Sequence, residues 1–301
     1  MWKRFAINGN KRNSEMSKFI KYTLLISMLS MFLFSTAAVA QDDDKLSRGT
    51  LLNWSWGEYT ATQASMDEPL IGDRPDFIEA STTVGLGVNQ LEMGWTFTDN
   101  DDGSGGKTYP ELLLRKGIYA EWLELRLAWS YAEEVTSAGA KTKGSEDMSV
   151  GFKIALTAQE DNAPETSLIL EMSVPSGDDV FGGDDTLPTV MYIYAWELDN
   201  GMTLAGQTAF NRAIDSGSGD AYLEYSQAIG VGFGLTEKMG GYFEWFCMIP
   251  DGAETEVQQH YMDGGVALSV TKDLQLDWRA GFGLNDDADD FFTGVGLIYR
   301  W

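Results

Sequence analysis

The chain holds one cysteine, Cys247, and one histidine, His260. A lone cysteine allows no intrachain disulfide, so stability must come from backbone pairing and burial, and Cys247 reads as a small apolar filler. A lone histidine without a neighbouring cysteine gives a transition-metal site little support. It also leaves a serine hydrolase without partners: no Gly-x-Ser-x-Gly elbow occurs, and hairpin pairing puts no serine beside His260. No catalytic residue, metal or cofactor is assigned, and a lipid-hydrolysing barrel enzyme is the least favoured reading.

Long apolar runs are missing beyond residue 40. The stretch Leu24 to Phe34 follows Lys3, Arg4, Lys11, Arg12, Lys18 and Lys21 and precedes Ala38-Val39-Ala40, which reads as a secretory signal over residues 1–40 cleaved before Gln41. Met16 to Ala40 is a complete signal by itself, so Met16 is an alternative start. A stretch of eleven residues, nine of them apolar, is too short for a spanning helix, which argues against a helical membrane protein.

Positive charge is scarce as well. Taking the signal's six basic residues and Glu15 from totals of 21 and 46 leaves 15 Lys and Arg against 45 Asp and Glu, a net charge of −30. That sign excludes nucleic acid as a partner. The acidity either attracts cations or belongs to solvated loops.

What is present, from residue 88 onward, is alternation. Segments of about ten residues with period two are separated by connections that are alternately short and long. They predict twelve strands near 88–98, 109–118, 122–131, 147–157, 165–175, 188–199, 202–212, 220–234, 239–248, 258–270, 274–284 and 290–301. Short turns fall at Tyr119-Ala120, Glu160-Asp161-Asn162, Asn200-Gly201, Thr236-Glu237-Lys238 and Thr271-Lys272-Asp273, while the longer connections are rich in Asp, Gly and Ser. Short turns on the periplasmic rim and long loops outside agree with an even strand count.

One face of these strands is apolar, for example Leu91, Met93, Trp95 and Phe97, or Leu123, Leu125, Leu127 and Trp129. Aromatic residues gather at two levels, Phe97, Trp129, Tyr131, Phe210 and Phe291 at one and Trp196, Tyr299 and Trp301 at the other, as membrane interfaces require. A soluble β-sandwich also alternates, but needs no such girdles. The expected fold is therefore all-β: a transmembrane antiparallel up-and-down barrel over 88–301 in the bacterial outer membrane. Its last strand, with Phe291, Thr293, Val295, Leu297, Tyr299 and Trp301 on one side, is the expected contact for outer-membrane lipids and the barrel-assembly machinery.

The opposite face is polar or small and carries Glu92, Glu111, Arg115, Glu124, Arg126, Lys153, Glu171, Glu244, Asp263, Asp277 and Arg279, expected to line the lumen. A two-residue turn at Tyr119-Ala120 would put Arg115 directly opposite Glu124, with Arg126 diagonal to Glu111 and Arg115. Arg279 comes out diagonal to Asp263, and Gly230, Gly232 and Gly234 leave room on the inner wall. Such charges either line a permeation path or neutralise one another in a narrow barrel. Residues 41–87 precede the barrel as a plug or periplasmic segment, with Asp73, Arg74, Asp76 and Phe77 around Pro75 as plug candidates. Trp54, Trp56 and Phe77 speak against an ordinary disordered linker. Asp99 to Gly103 is an imperfect calcium loop, with Pro110 where a bidentate glutamate belongs. Asn53-Trp54-Ser55 is a sequon without meaning in a bacterial barrel.

The motifs Asp73-Arg74-Pro75-Asp76-Phe77, Gln90-Leu91-Glu92-Met93-Gly94-Trp95, Pro110-Glu111-Leu112-Leu113-Leu114-Arg115, Leu123-Glu124-Leu125-Arg126 and Ser149-Val150-Gly151-Phe152-Lys153 stand in the order of a known family. With Tyr242-Phe243-Glu244-Trp245, Leu274-Gln275-Leu276-Asp277 and Phe292 to Leu297, residues 73–301 resemble the "putative MetA-pathway of phenol degradation" family. The resemblance implies a transporter-like outer-membrane barrel, sometimes linked to passage of aromatic or hydrophobic compounds. The chain departs from it in its very acidic loops and its terminal Trp301. The expected function is passive passage of a small, hydrophobic or aromatic solute by a protein that is not an enzyme. The alternative is a plugged structural or surface-binding barrel with cation-attracting loops.

Overall fold

The computed structural model describes residues 49–52, 66 and 68–301. The signal, Trp54, Trp56 and the Asn53 sequon lie outside the described residues. Thirteen strands follow: β1 Asn89–Asp99, β2 Gly105–Gly117, β3 Leu123–Val135, β4 Lys141–Ser145, β5 Met148–Thr157, β6 Glu165–Val174 and β7 Pro188–Glu197. Then come β8 Thr203–Ile214, β9 Ala221–Thr236, β10 Met239–Asp251, β11 Gln259–Thr271, β12 Leu274–Gly283 and β13 Phe291–Arg300. All named strands pair antiparallel, and β1 joins both β2 and β13, so the sheet closes on itself. β4 and β5 pair in succession with the upper and lower parts of β3, so they count as one stave and the wall has twelve.

Closure follows from the pattern. Apart from local bulges, the strand backbones pair with a neighbour on either side, which is what a hydrocarbon environment demands. The outward face stays apolar and unburied, as at Phe152, Leu170, Ile229, Trp278 and Val295, each more than 40% exposed. No helix among the described residues is long and apolar enough to cross a membrane.

The structure departs from the sequence reading at three places. β2 starts at Gly105 and passes Pro110 through a bulge: Tyr109 and Pro110 pair with neither neighbour, and the register shifts against both β1 and β3. Proline has no N–H to offer the ladder, so the strand tolerates it only by stepping out of register. β3 runs on to Val135 and forms a hairpin with β4 above the barrel rim, where a plain loop was expected. The β2–β3 register also differs by two. Arg115 lies opposite Arg126 and Gly117 opposite Glu124, because the connection spans residues 118–122 with Tyr119 at φ 61° instead of a two-residue turn. Glu124 is thus diagonal to Arg115, and Arg126 is not diagonal to Glu111. A shift of two keeps every side chain on its face, so the inward set is unchanged.

Candidate functional site: a segment across the lumen

Residues 71–84 lie inside the barrel and touch most of its circumference. Arg300 holds the approach, its Nη2 donating to the carbonyls of Met66 at 3.2 Å and Glu68 at 3.1 Å. Gln90 then donates to the Ile71 carbonyl at 2.9 Å, and the Asp73 N–H donates to the Glu92 carboxylate at 3.0 and 3.1 Å.

Asp73 is the focus of the ionic side. Its carboxylate meets Lys153 Nζ at 2.6 Å, Arg115 Nη1 at 3.1 Å and Arg126 Nη1, and it accepts the Ala80 N–H at 3.0 Å. Burial alone would raise its pKa, but Arg115, Lys153 and Arg126 together hold it well below the usual carboxylate range. Glu124 grips Arg115 and also accepts the Val84 N–H at 2.9 Å. Arg126 reaches Glu79 at 2.9 Å, with Glu171 3.6 Å from its Nε. A buried charge is tolerable only when paired on every side, and this cluster pairs strand charges largely through the inserted segment.

Arg74 points the other way, to Glu111 at 2.7 Å and Asp277 at 3.4 Å. Its guanidinium fits because the wall there is glycine: Gly94 and Gly296 are cross-strand partners, and a Cβ on either would fall 2.1 or 2.3 Å from it. Arg279 donates to the Pro75 carbonyl at 3.0 Å and to Thr96 at 3.1 Å, so it serves the segment and not its diagonal neighbour Asp263. Asp263 instead accepts from the Tyr242 hydroxyl at 2.8 Å. Glu244 receives the N–H groups of Phe77 and, at 3.1 Å, of Ile78.

The far side of the segment is apolar. Phe77 stacks on Phe246 with centroids 4.2 Å apart and planes 2° apart, and Ile78 packs into a cluster of Ile169, Ile193, Ala228, Phe246, Tyr261 and Phe292. The inner face was expected to be polar or small throughout, and this half is not. Continuous apolar runs such as Leu168-Ile169-Leu170 make both faces greasy, a pattern strict alternation does not flag. Glu79, Gln90, Arg300, Glu165, which accepts from the Ser81 hydroxyl, and Gln207, which accepts the Glu79 N–H at 2.9 Å, also serve the segment without having been singled out. Gln90 and Gln207 were legible as inward polar positions, whereas Glu79 carries no periodic signal.

On the loop side two cavities of about 370 and 390 Å³ share Thr108 and Glu146. The lower one ends on Asp73, Arg74, Pro75, Asp76 and Glu79. Asp76 there has its pKa pushed up to about 7, first by burial and then by nearby Asp263 and Asp73. Beyond the segment the inner wall of β9 is bare: a Cβ on Gly230 would meet Ile78 at 3.1 Å, but one on Gly234 would meet nothing within 4 Å. Among the described residues no group of acidic side chains is arranged to hold a metal ion, including the Asp99 to Gly103 loop. The His260 ring rests on Trp245 and against Gln258.

A closed twelve-stave wall with a lipid-facing apolar belt defines an outer-membrane β-barrel of channel form, placed in the bacterial outer membrane. The family model described as "Putative MetA-pathway of phenol degradation" matches residues 72–301, and the chain belongs to that family. The crystal structure of an outer membrane channel from Pseudomonas putida F1 is similar, with a TM-score of 0.56 and 14% identity over 75% of this chain and 99% of that one. The translocator domain of the autotransporter NalP from Neisseria meningitidis gives 0.48 and 12%, over 72% of this chain and 89% of that one. The NanC porin gives 0.47 and 9%, over 70% and 98%. No curated protein sequence is significantly similar to the chain.

Proposed function

We propose that the protein is a non-enzymatic channel for passive passage of small apolar or aromatic solutes across the outer membrane, with residues 71–84 acting as its plug. The observation that carries this is the divided lumen. Water-filled barrels are polar inside, whereas one side of this inner wall carries an apolar cluster of Ile169, Ile193, Phe246, Tyr261 and Phe292 around Phe77. An aromatic solute would find its favourable surface there, and a hydrated ion would not. Glu92, Glu111, Arg115, Glu124, Arg126, Lys153, Glu171, Glu244, Asp263, Asp277 and Arg279 line the lumen in this reading and mainly hold the plug in place. Outer-membrane lipids surround the belt, and the barrel-assembly machinery would recognise β13.

The second reading, an occluded barrel with a structural or surface-binding role, is favoured by the density of ion pairs on Asp73. Flux of toluene and of a small sugar into vesicles with a lipopolysaccharide outer leaflet, which itself slows apolar solutes, separates the two when full-length protein is compared with protein lacking residues 41–87. Toluene flux by the full-length protein supports the channel. Flux only after deletion supports the occluded barrel, and folded protein passing nothing in either form refutes the channel.

A further inference from the structure

The two halves of the lumen hold residues 71–84 in different ways. On the β1–β5 side the grip is ionic and many-fold, whereas Phe77 and Ile78 are held by two N–H donations to Glu244 and by apolar packing. The Phe77 ring lies flat on Phe246, and Phe246 is 4.9 Å from Tyr261 at 20°, a short aromatic stack with Phe292 at its edge. The loop-side cavity ends at Pro75 and Asp76, the residues immediately before Phe77. Past Ile78 the wall opens toward Gly234, where an added Cβ would meet nothing within 4 Å.

We propose that the face of Phe246 covered by Phe77 is a binding site for one planar aromatic molecule, and that Phe77 is a built-in competitor occupying it. This rests on the channel reading and names the place where the solute is held. A single six-membered ring fits the geometry, because the site is the size of the side chain that fills it. Ring-on-ring stacking at this spacing supplies specificity for flat solutes over aliphatic ones. The competitor can leave without unseating the plug, since Asp73, Arg74 and Glu79 keep their own ionic partners. Removing its side chain leaves an apolar hole, and apolar holes of ring size take up benzene-like guests.

The test is ¹⁹F NMR of fluorobenzene with the full-length protein in nanodiscs, where partitioning into lipid is a common background. Phe77→Ala should show a saturable bound signal with affinity about tenfold above wild type, the factor that loss of one stacked competitor supplies. Phe77→Leu should fall between, and the double variant Phe77→Ala with Phe246→Ala should lose the signal. Ile298→Ala, a truncation of a fully buried apolar side chain beside Gly72, should not create it. Equal binding by wild type and Phe77→Ala, or binding that survives loss of Phe246, overturns the site. If Phe77→Ala binds fluorobenzene while toluene flux is absent, the site stands and the channel reading fails. Toluene flux without Phe77-dependent binding gives the reverse.

Discussion

Arg115 and Glu124 make a two-point contact, Nε to Oε1 at 2.7 Å and Nη2 to Oε2 at 2.9 Å, although they stand diagonal and not directly opposite across the β2–β3 pair. Both side chains are fully buried, and the diagonal reach leaves Glu124 Oε2 free to take the Val84 N–H as well. The strand wall and the segment inside it therefore share one ionic network.

Arg115→Ala takes the closest cation from Glu124 and one cation each from Glu92 and Asp73 in a confined space, leaving Glu124 with Arg126 at 3.3 Å. Loss of one partner from a buried pair costs about 3–5 kcal/mol. The variant should unfold at lower urea concentration in a gel-mobility assay of the folded barrel. Adding Glu124→Gln should recover part of the loss, and strictly additive effects of the two changes would deny the coupling.

Asp73→Asn removes the charge that three cations share. Residues 71–84 should then become sensitive to protease added from the periplasmic side, with the barrel still folded. The Asp73 carboxyl is held below its unfolded value near 3.9. Its contribution is thus present above about pH 4 and is lost as pH falls through the folded value.

Asp76 works with the opposite sign. Its folded value of about 7 exceeds the unfolded one, so the folded state binds the extra proton and seating of the segment weakens as pH rises from about 4 to about 7. Protease sensitivity should increase over that range in the wild type, and Asp76→Asn should flatten the change. Asp263, Glu244, Asp73 and Arg279 face this group and remain in the variant.

Gly94→Ala or Gly296→Ala should mimic Arg74→Ala, because the added methyl occupies the guanidinium's seat. All three variants should raise protease access to the segment alike. Gly234→Ala, which meets nothing within 4 Å, should leave it unchanged.

Asp215 clasps two outer loops. Its carboxylate accepts the N–H groups of Glu254 and Thr255 at 2.7 Å each, the Thr255 hydroxyl at 2.6 Å, and the N–H groups of Gly217 and Ser218 at 3.0 and 2.9 Å. These bonds, that from the Thr255 hydroxyl first, hold its pKa well below the usual range. Asp215→Ala should expose residues 252–258 to protease on intact cells while the urea midpoint of the barrel stays put.

The strand reading succeeded because a period of two is imposed residue by residue. Leu91, Met93 and Trp95 must leave the side that Glu92 enters, so the two faces were legible wherever they differed in polarity. It failed where geometry depends on a turn: the left-handed Tyr119 and the residues around it moved the β2–β3 register by two without changing any face. The apolar inner half escaped because Ile169 and Ile193 sit among outward apolar neighbours, and a uniformly greasy run has no detectable inside.

The sequence alone thus determined the closed barrel form and the polarity of its two faces, since these follow from alternation and from the spacing of Asp, Gly and Ser. Only the tertiary structure decided what those charges hold. Asp73 meets Lys153 across 80 positions, Arg74 meets Asp277 across 203, and Phe77 finds Phe246. A segment without period or register takes its partners from the cavity that surrounds it, and that cavity exists only once the first strand has met the last.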